Sequence, residues 1–500
     1  MPNFENHPLY GLMHPKSVAF WGASNDPMAM GSVQLGELLA MGFQGPVYPI
    51  HPSQKEILGL RAYARVTDVL DPVDLAVLVI PTRIVPEVLE DCGKKGIKFA
   101  IVVSAGFAET GSEGRALQER IIAIARRYGI RFLGPNCIGA INPSHKLNTT
   151  FYPYDTVPGF IGMASQSGSF VTQMFVHLAK FGLGFSQGLS VGNEAVTDVT
   201  DCIEYLGHCP KTKVIGLYLE GIRRGRDFIK VAADVSKNKP IVAYYVGGSA
   251  SGRQAGLSHT GALAGRDEVY NGAFAQTGII RATSVEELFD FCWVLGSQPL
   301  PLGNRIAVLT NSGGPGAAAA DAAERSGLVL AKFSDSTRKA LRSLLPHTAS
   351  LANPVDMTFA RNHADYFETI PRILLEDEGV DCLFMYFLMP HKRVIMSVLR
   401  AMTGGTGDPQ TISRDYVKTL VTAITSLAAK YGKPIVGGSF YTRNEFFIRE
   451  LQDAGLPVLP SPERAVRALG ALARYAEFRR RCHASGIDEI PKSRNATGGT

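Results

Sequence analysis

Short, continuous apolar runs that alternate with helical patterns constrain the fold of this chain more than any other feature. The first five runs are VAFWGAS (18–24), PVYPIHP (46–52), LAVLVIP (75–81), FAIVVSAG (99–106) and RFLGPN (131–136). They are rich in β-branched residues and lack strict polar–apolar alternation, which is typical of strands buried on both faces of a sheet. The segments VPEVLEDCGKKG and EGRALQERIIAIARRYG between them have helical spacing and stop at glycine. Repeated strand–helix–strand units predict a doubly wound parallel sheet.

The same alternation continues in two further blocks, so we predict three α/β domains. The second block has the runs FIGMAS (160–165), VIGLYLEG (214–221) and PIVAYYVGG (240–248), and the segment GSQPLPLGN (296–304) ends it as a linker. The third block has IAVLTNSGG (306–314), CLFMYFLMP (382–390), PIVGGSF (434–440) and LPVLPSP (456–462). The predicted domains are residues 1–143, 150–297 and 303–480, followed by a tail at 481–500.

Composition excludes several classes of protein. The net charge of +6 is spread along 500 residues without a block of five like charges, which argues against a nucleic-acid-binding arm. No run approaches 18 apolar residues and the N-terminus has no apolar leader, so we expect neither a membrane span nor secretion. Seven cysteines without a CxxC pair predict a reduced, cytoplasmic protein with no metal site.

One device recurs in all three blocks, namely a strand, a small glycine-rich turn and then a helix. The turns are GASNDPMAMG (22–31), SQSGSF (165–170) and NSGGPGAAAADAA (311–323). The free N–H groups at such a helix start bind anions, and the helix dipole favours negative charge there. Tight strand–helix packing also requires glycine, so each turn has a purely structural alternative.

Three well-known motifs are absent or misplaced. The first turn lacks G-x-G-x-x-G, and the second strand ends in HPSQK, which offers Lys55 to a phosphate where an NAD site has an acidic residue. No GxxxxGK[ST] loop for nucleotide phosphates occurs. GFSQG (184–188) matches a hydrolase nucleophile elbow, but a helical pattern precedes it and a strand pattern follows, the reverse of the required order.

The stretch AGLSHTGALAG (255–265) places His259 in a small, flexible, nearly uncharged loop. Glu220 stands at the end of the strand VIGLYLEG, and the next strand leads into the histidine loop. In open α/β sheets the ligand crevice lies at these carboxyl ends. A carboxylate there can hold one imidazole nitrogen and leave the other free as a nucleophile. We expect Glu220 to be exposed to this crevice, and a surface histidine is the alternative for His259.

Nine stretches together resemble one family. They are GAS (22–24), AGFAETG (105–111), GPNCIG (134–139), SQSG (165–168), SVGNEAVTD (190–198), YLEG (218–221), SHTGALAG (258–265), TNSGGPG (310–316) and NPVD (353–356). In number and order they resemble the α-type part of the NDP-forming acyl-CoA synthetases, relatives of succinyl-CoA synthetase. The resemblance implies a Rossmann-like CoA-binding domain followed by two flavodoxin-like domains of the succinyl-CoA-synthetase type.

The resemblance also implies roles for individual residues. The CoA site would be lined by Gly22, Ser24, Lys55, Ile80, Ser104 and Asn136. His259 would carry a phosphoryl group and Glu220 would orient it. Ser167 and Gly168 would cradle the phosphate, and Gly313 and Gly314 would offer a second cradle to a moving loop. The implied reaction converts a small carboxylic acid, CoA and ATP into acyl-CoA, ADP and phosphate.

Two departures from the family pattern matter. Tyr245-Val246-Gly247-Gly248 stands where acetyl-type members have Lys-x-Gly-Arg, which leaves the acid open. No ATP-grasp segment occurs in this sequence, so ATP or ADP and Mg²⁺ are expected on a β-type ATP-grasp subunit in a hetero-oligomer. The alternatives are a non-catalytic CoA- or acyl-CoA-binding module, and an acyl-CoA transferase or thioesterase on the same scaffold.

Overall fold

The computed structural model describes residues 4–252, 265–347, 349–358, 363–388 and 409–484. The chain divides into two compact units. The first unit comprises Met1–Val235 and Lys239–Gly296, and the second comprises Ser236–Asn238 and Ser297–Thr500. Each unit is described by itself below.

The first sheet of the first unit is parallel throughout and has the order β2-β1-β5-β6-β7. Its strands are β1 (Val18–Trp21), β2 (Val47–Ile50), β5 (Leu75–Leu78), β6 (Phe99–Val102) and β7 (Arg131–Leu133), and a small hairpin adds β3 (Glu56–Ile57) and β4 (Leu60–Arg61). The helices are α1 (Tyr10–Met13), α2 (Met30–Ala40), α3 (Val85–Lys95) and α4 (Ser112–Tyr128). Every residue of β1 and β5 is buried, as the continuous apolar runs predict for central strands.

The second sheet of this unit has seven strands in the order β14-β13-β12-β10-β11-β8-β9. The strands are β8 (Ala140–Asn142), β9 (Leu147–Asn148), β10 (Ile161–Ser165), β11 (Phe185–Ser190), β12 (Val214–Leu219), β13 (Ile241–Tyr245) and β14 (Ile280–Ala282). The helices are α5 (Gly168–Ala179), α6 (Val199–His208), α7 (Gly225–Ser236), α8 (Asp267–Thr277) and α9 (Val285–Ser297). The edge strands β8 and β9 pair antiparallel, whereas β10 to β14 are parallel.

The second unit contains a parallel sheet of six strands in which β16-β15-β18-β19-β20 are neighbours and β17 also pairs with β15. The strands are β15 (Arg305–Thr310), β16 (Val329–Leu330), β17 (Val355–Asp356), β18 (Cys382–Tyr386), β19 (Ile435–Gly438) and β20 (Val458–Leu459). The helices are α10 (Gly313–Arg325), α11 (Asp335–Leu344), α12 (Thr369–Glu376), α13 (Pro409–Tyr431), α14 (Phe446–Asp453) and α15 (Pro462–Ala484).

The predicted α/β class with parallel sheets is confirmed, and the division into three domains stays a prediction. The GFSQG stretch lies in β11, where Ser186 is buried and its hydroxyl is 2.7 Å from that of Thr212. A strand interior cannot form a nucleophile elbow, so rejecting that motif was right. Among the described residues, no helix is both long and apolar enough to cross a membrane.

Candidate functional site

Four of the six predicted CoA residues come together at the carboxyl edge of the first sheet. Gly22, Ile80, Ser104 and Asn136 follow the neighbouring strands β1, β5, β6 and β7. The Ser104 hydroxyl donates to the carbonyl of Ile80 at 2.5 Å, and the Asn136 amide donates to the carbonyl of Ser104 at 2.8 Å. The ends of β5, β6 and β7 are therefore joined by hydrogen bonds into one surface, at the place where ligands bind open α/β sheets.

The turn after β1 is built for close backbone approach. Gly22 has a φ of +93°, and a Cβ there would lie 1.8 Å from the carbonyl oxygen of Val79. A Cβ on Gly31, at the start of α2, would lie 2.2 Å from the carbonyl oxygen of Gly22. Only glycine fits either position, so the helix start lies directly against the strand end. This geometry satisfies both explanations of the turn, tight packing and an accessible anion site.

Ser24 and Lys55 lie on the two segments that flank this turn. The Ser24 amide donates to the Ser32 hydroxyl at 3.0 Å, and that hydroxyl donates to the Ser24 carbonyl at 2.7 Å. The Asn25 amide donates to the Gln54 side chain at 3.2 Å, which brings the segment containing Lys55 beside the turn. Lys55 is exposed, so its ammonium group is accessible to an anionic ligand.

The predicted phosphate turn after β10 has a defined hydrogen-bonded form. The Ser165 hydroxyl donates to the carbonyl of Ser167 at 2.7 Å and accepts from the Ser167 amide at 3.1 Å. Ser167 precedes α5 without a side-chain cap on the helix, so the first amides of α5 remain for another acceptor. The turn therefore provides the N–H groups that an anion site requires.

The predicted second turn repeats this form in the second unit. The Thr310 hydroxyl donates to the carbonyl of Ser312 at 2.6 Å and accepts from the Ser312 amide at 3.0 Å. Ser312 also precedes its helix, α10, without a side-chain cap. A Cβ on Gly314 would meet nothing within 4 Å, whereas one on Gly313 would lie 3.5 Å from a carboxylate oxygen of Asp356, so the helix start is open at Gly314.

Glu220 follows β12, which pairs with β10, and this pairing places it beside the first turn. Its amide donates to the side-chain oxygen of Gln166 at 2.5 Å. The expectation that Glu220 is exposed to a crevice is wrong, because the residue is only 4% exposed. The buried Gln166 and Glu194 side chains close over the strand ends here. Removing the Glu220 carboxylate should therefore affect stability as well as chemistry.

Glu194 and Gln166 belong to the candidate site although no role was predicted for either from the sequence. Glu194 is 7% exposed, and burial is the main reason that its pKa rises to about 7. Hydrogen bonds from the Val199 amide and the Gln166 side chain act in the opposite direction. A buried carboxylate with a perturbed pKa at a strand end is a typical feature of functional sites. The only sequence signal for it was its place in the family motif SVGNEAVTD.

His259 lies outside the described residues, so its predicted role stays a prediction. The described end of its loop is held at Gly265, whose carbonyl accepts from the Tyr245 hydroxyl at 3.0 Å. The Tyr245 ring stacks on Tyr270 with 3.8 Å between centroids, and the Tyr270 hydroxyl accepts from the Ile222 amide at 3.0 Å. Tyr245 thus ties the loop end to the segment after Glu220.

Within the described parts of the chain, no three His, Cys, Asp or Glu side chains form a metal site. Comparison with known families gives two matches. The CoA binding domain family matches residues 16–143, and the succinyl-CoA ligase like flavodoxin domain family matches residues 158–295. The first match covers the Gly22–Asn136 edge, and the second covers both Ser167 and Glu220.

Individual relatives extend the likeness to nearly the whole chain. The acetate–CoA ligase [ADP-forming] I subunit alpha of Pyrococcus furiosus is 36% identical over 94% of this chain and 98% of its own length. The acetate–CoA ligase [ADP-forming] I of Archaeoglobus fulgidus is 38% identical over 93% of this chain, which spans 64% of that longer protein.

A solved structure agrees with these relatives. The acetyl-coenzyme A synthetase 1 of Ca. Korarchaeum cryptofilum, solved with phosphate and ADP, has 35% identity and a TM-score of 0.83. The match covers 95% of this chain and 98% of that one. The chain described here therefore belongs to the family of NDP-forming acyl-CoA synthetases that its motifs resemble, and it corresponds to their α-type part.

Proposed function

We propose that this chain is the α-type subunit of an ADP-forming acid–CoA ligase. The observation that supports the proposal most is that the predicted phosphate site and the predicted CoA site occur in the same compact unit. The Ser165–Gly168 turn is hydrogen-bonded to the Glu220 segment through Gln166, and the CoA edge lies in the same compact unit. The relatives are ligases, which gives no support to the transferase, thioesterase or non-catalytic alternatives.

The reaction divides into three balanced transfers. Phosphate attacks the acyl-CoA thioester, which gives an acyl phosphate and releases CoA. The imidazole of His259 then takes the phosphoryl group, and the carboxylic acid leaves. Finally, phosphohistidine passes the group to ADP, and the synthetic direction is the reverse. Splitting one difficult exchange into such steps is the advantage of a covalent intermediate.

In each transfer, the residues of this chain bind the substrates and orient the reacting groups. The edge formed by Gly22, Ile80, Ser104 and Asn136, with Lys55 beside it, holds CoA. The amides at the start of α5 face the phosphate, and their fixed dipoles stabilise the charge that develops on its oxygens. Glu220 orients His259.

We assign the nucleotide to a partner. The α-subunit name of the Pyrococcus relative implies a second subunit, and the Archaeoglobus relative is a longer chain. A β-type ATP-grasp subunit would bind ATP or ADP, and its Mg²⁺ would neutralise charge on the phosphates. The second turn at Gly313 and Gly314 is then a second resting place for the phosphorylated loop. The acid is a small carboxylic acid.

The test is phosphorylation of the full-length chain. Incubation with acetyl-CoA and ³²P-phosphate should place an acid-labile, heat-stable label on the protein. His259→Asn should abolish the label, with a loss of at least about a thousandfold because the imidazole that accepts the phosphoryl group is gone. Calorimetry should show CoA binding within a few-fold in both proteins, and no NAD binding. Full labelling of His259→Asn, or a preference for NAD, would contradict the proposal.

A further inference from the structure

The loop between β11 and α6 touches the predicted CoA edge on one side. Gly192 has a φ of +51°, and a Cβ there would lie 2.3 Å from the carbonyl oxygens of Pro135 and Asn136. The Asn193 amide donates to the carbonyl of Pro135 at 2.9 Å. The side chain of Asn193, which is 1% exposed, accepts from the side-chain amide of Asn136 at 3.2 Å. The loop is therefore fixed to the end of β7.

The next residue turns toward the predicted phosphate site. Glu194 has a φ of +55°, an uncommon conformation for a residue with a Cβ. One carboxylate oxygen accepts from the Val199 amide at 2.8 Å, and the other accepts from the side-chain nitrogen of Gln166 at 2.8 Å. The guanidinium of Arg223 lies 4.0 Å from the same carboxylate. Backbone strain that the surroundings hold in place tends to occur at functional sites.

Gln166 uses three of its four hydrogen bonds to hold the Glu220 segment and the fourth to contact Glu194. Its oxygen accepts from the amides of Glu220 at 2.5 Å and Gly221 at 3.1 Å. Its nitrogen donates to Glu194 at 2.8 Å and to the carbonyl of Gly221 at 2.7 Å. A flipped side chain would point its NH₂ group at two backbone amides, so these contacts allow one orientation. Gln166 also lies within the SQSG turn that begins α5.

We propose that Glu194 and Gln166 are positioning residues for phosphoryl transfer. Glu194 holds the Gln166 side chain in the orientation that fixes the Glu220 segment against the start of α5. We call Asn136, Asn193, Glu194 and Gln166 the polar bridge, because they link the CoA edge to the phosphate turn by continuous contacts. The functional part of this inference rests on the proposed ligase reaction.

A carboxylate is the group that suits position 194. It accepts from two donors at once, the Val199 amide and the Gln166 nitrogen. A glutamine there would face one of these donors with its own NH₂ group, and the mismatch would release either α6 or Gln166. Glu194→Gln should therefore loosen the Glu220 segment although it changes neither size nor fold.

The first experiment needs no activity. Hydrogen exchange of the full-length wild type, Glu194→Gln and Gln166→Leu is followed at the amides of Glu220 and Gly221. Both variants should lower protection there by about tenfold, the equivalent of one lost buried hydrogen bond. Asp377→Asn is the matched control, because Asp377 is also a buried carboxylate that accepts backbone amides, but in the second unit. Unchanged protection in both variants would overturn the proposal.

The second experiment measures labelling by acetyl-CoA and ³²P-phosphate. Glu194→Gln and Gln166→Leu should each slow maximal labelling about ten- to hundredfold, because small displacements of positioned groups cost rate steeply. The KM for acetyl-CoA should change little in either variant, and the melting temperature should change little in Glu194→Gln, the milder of the two changes. The double variant should be no slower than the slower single variant, since the two residues act as a unit.

The outcomes separate the two proposals. If the wild type takes up label and both variants take it up at the same rate, the positioning role is overturned. Equal losses in KM, melting temperature and maximal rate would reduce the bridge to a structural role and also overturn it. A wild-type chain that takes no label from acetyl-CoA or from any other small acyl-CoA contradicts the ligase proposal, and the exchange result at Glu220 and Gly221 then decides whether the polar bridge positions that segment.

Discussion

The turns before α5 and α10 are alike in backbone and different in what surrounds them. In each, the hydroxyl of Ser165 or Thr310 forms hydrogen bonds with both the amide and the carbonyl of the serine two residues later. That serine occupies the N-cap position of the helix. In each, a parallel neighbouring strand ends at an acidic residue, Glu220 after β12 and Asp356 in β17. Both helices begin without a side-chain cap.

The residue between hydroxyl and cap differs in how it is held. In the first turn, all four hydrogen-bonding positions of Gln166 are filled. In the second, the Asn311 side chain donates to Leu388 at 3.5 Å, and its buried oxygen accepts from no described residue. The comparison teaches that one backbone device serves two degrees of preorganisation. A fixed set of dipoles suits the turn at which we propose that charge develops, and a less constrained set suits the proposed second resting place of the loop.

Among the changes that compare the two turns, blocking each turn with a charge should have the largest effect. Ser169→Glu places a carboxylate at the exposed start of α5, where it competes with phosphate for the helix amides. Labelling by acetyl-CoA and phosphate should fall about ten- to hundredfold. Gly314→Glu does the same at α10, where there is open space for a side chain, and should leave this labelling within about twofold.

Ser169→Gln and Gly314→Gln are the matched neutral controls, and both should label like the wild type. If Gly314→Glu slowed acetyl-CoA-dependent labelling as much as Ser169→Glu, the two turns would not have separate roles.

The second-largest difference is expected between substitutions of the acidic residues beside the two turns. Glu220→Gln should lower labelling about tenfold and lower the free energy of unfolding by about 1 kcal/mol or more, since a buried carboxylate loses its contacts. Asp356 accepts from the Thr358 amide at 2.9 Å and hydroxyl at 2.7 Å, bonds that an asparagine oxygen can still accept. Asp356→Asn should therefore change both quantities little. Labelling rates and urea unfolding curves check both variants, and equal effects would remove the distinction.

The sequence predicted the parts of this arrangement that depend on local pattern. The buried strands, the helix starts and the glycine of the first turn follow from apolar runs and residue size, and Gly22 is where a Cβ would collide. The short strands β8 and β9 were not predicted, because two or three residues carry no periodicity. His259 and Glu220 were assigned by family resemblance and by their place after strands.

The rest could not be read from local pattern. Gln166 contacts residues 28 and 55 positions away in sequence, so only the assembled sheet brings the polar bridge together. The left-handed backbone of Glu194 is typical of glycine or asparagine, and no residue type announced it. The burial of Glu220 depends on the same long-range contacts, which is why the expected exposure was wrong.

The polar bridge beside the first turn contains a titratable side chain, Glu194, whereas Asn311 of the second turn does not titrate. The stability effect of substitutions at the two turns should therefore differ in its dependence on pH. Burial, with the charge of Asp198, raises the pKa of Glu194 to about 7 despite hydrogen bonds and Arg223. The folded chain thus keeps a proton that the unfolded chain releases at its ordinary, lower pKa. The contribution of this group to stability falls as pH rises toward about 7, then stays level.

Relative to Glu194→Gln, the wild type should accordingly be more stable at pH 5 than at pH 8. Melting temperatures of both proteins at the two values measure this difference. Asn311→Leu serves as the comparison, because its difference from the wild type should not change with pH. A constant difference for Glu194→Gln would show that the carboxyl does not titrate in this range.

The smallest expected effect is that of Asn311→Leu itself. The side chain gives up one long hydrogen bond of 3.5 Å and a buried oxygen with no described donor, so removing the amide costs little and relieves an unsatisfied group. We expect the free energy of unfolding to stay within about 0.5 kcal/mol of the wild type, and labelling by acetyl-CoA and phosphate to stay within about twofold.

Gln166→Leu, the same change at the corresponding position of the first turn, leaves the amides of Glu220 and Gly221 without their acceptor and should cost much more in both measurements. If Asn311→Leu left labelling intact but slowed transfer to ADP once an ATP-grasp partner is supplied, the Asn311 side chain would contribute to the proposed second resting place of the loop. Equal losses for the two leucine variants would mean that the second turn is as closely braced as the first, and the comparison would fail.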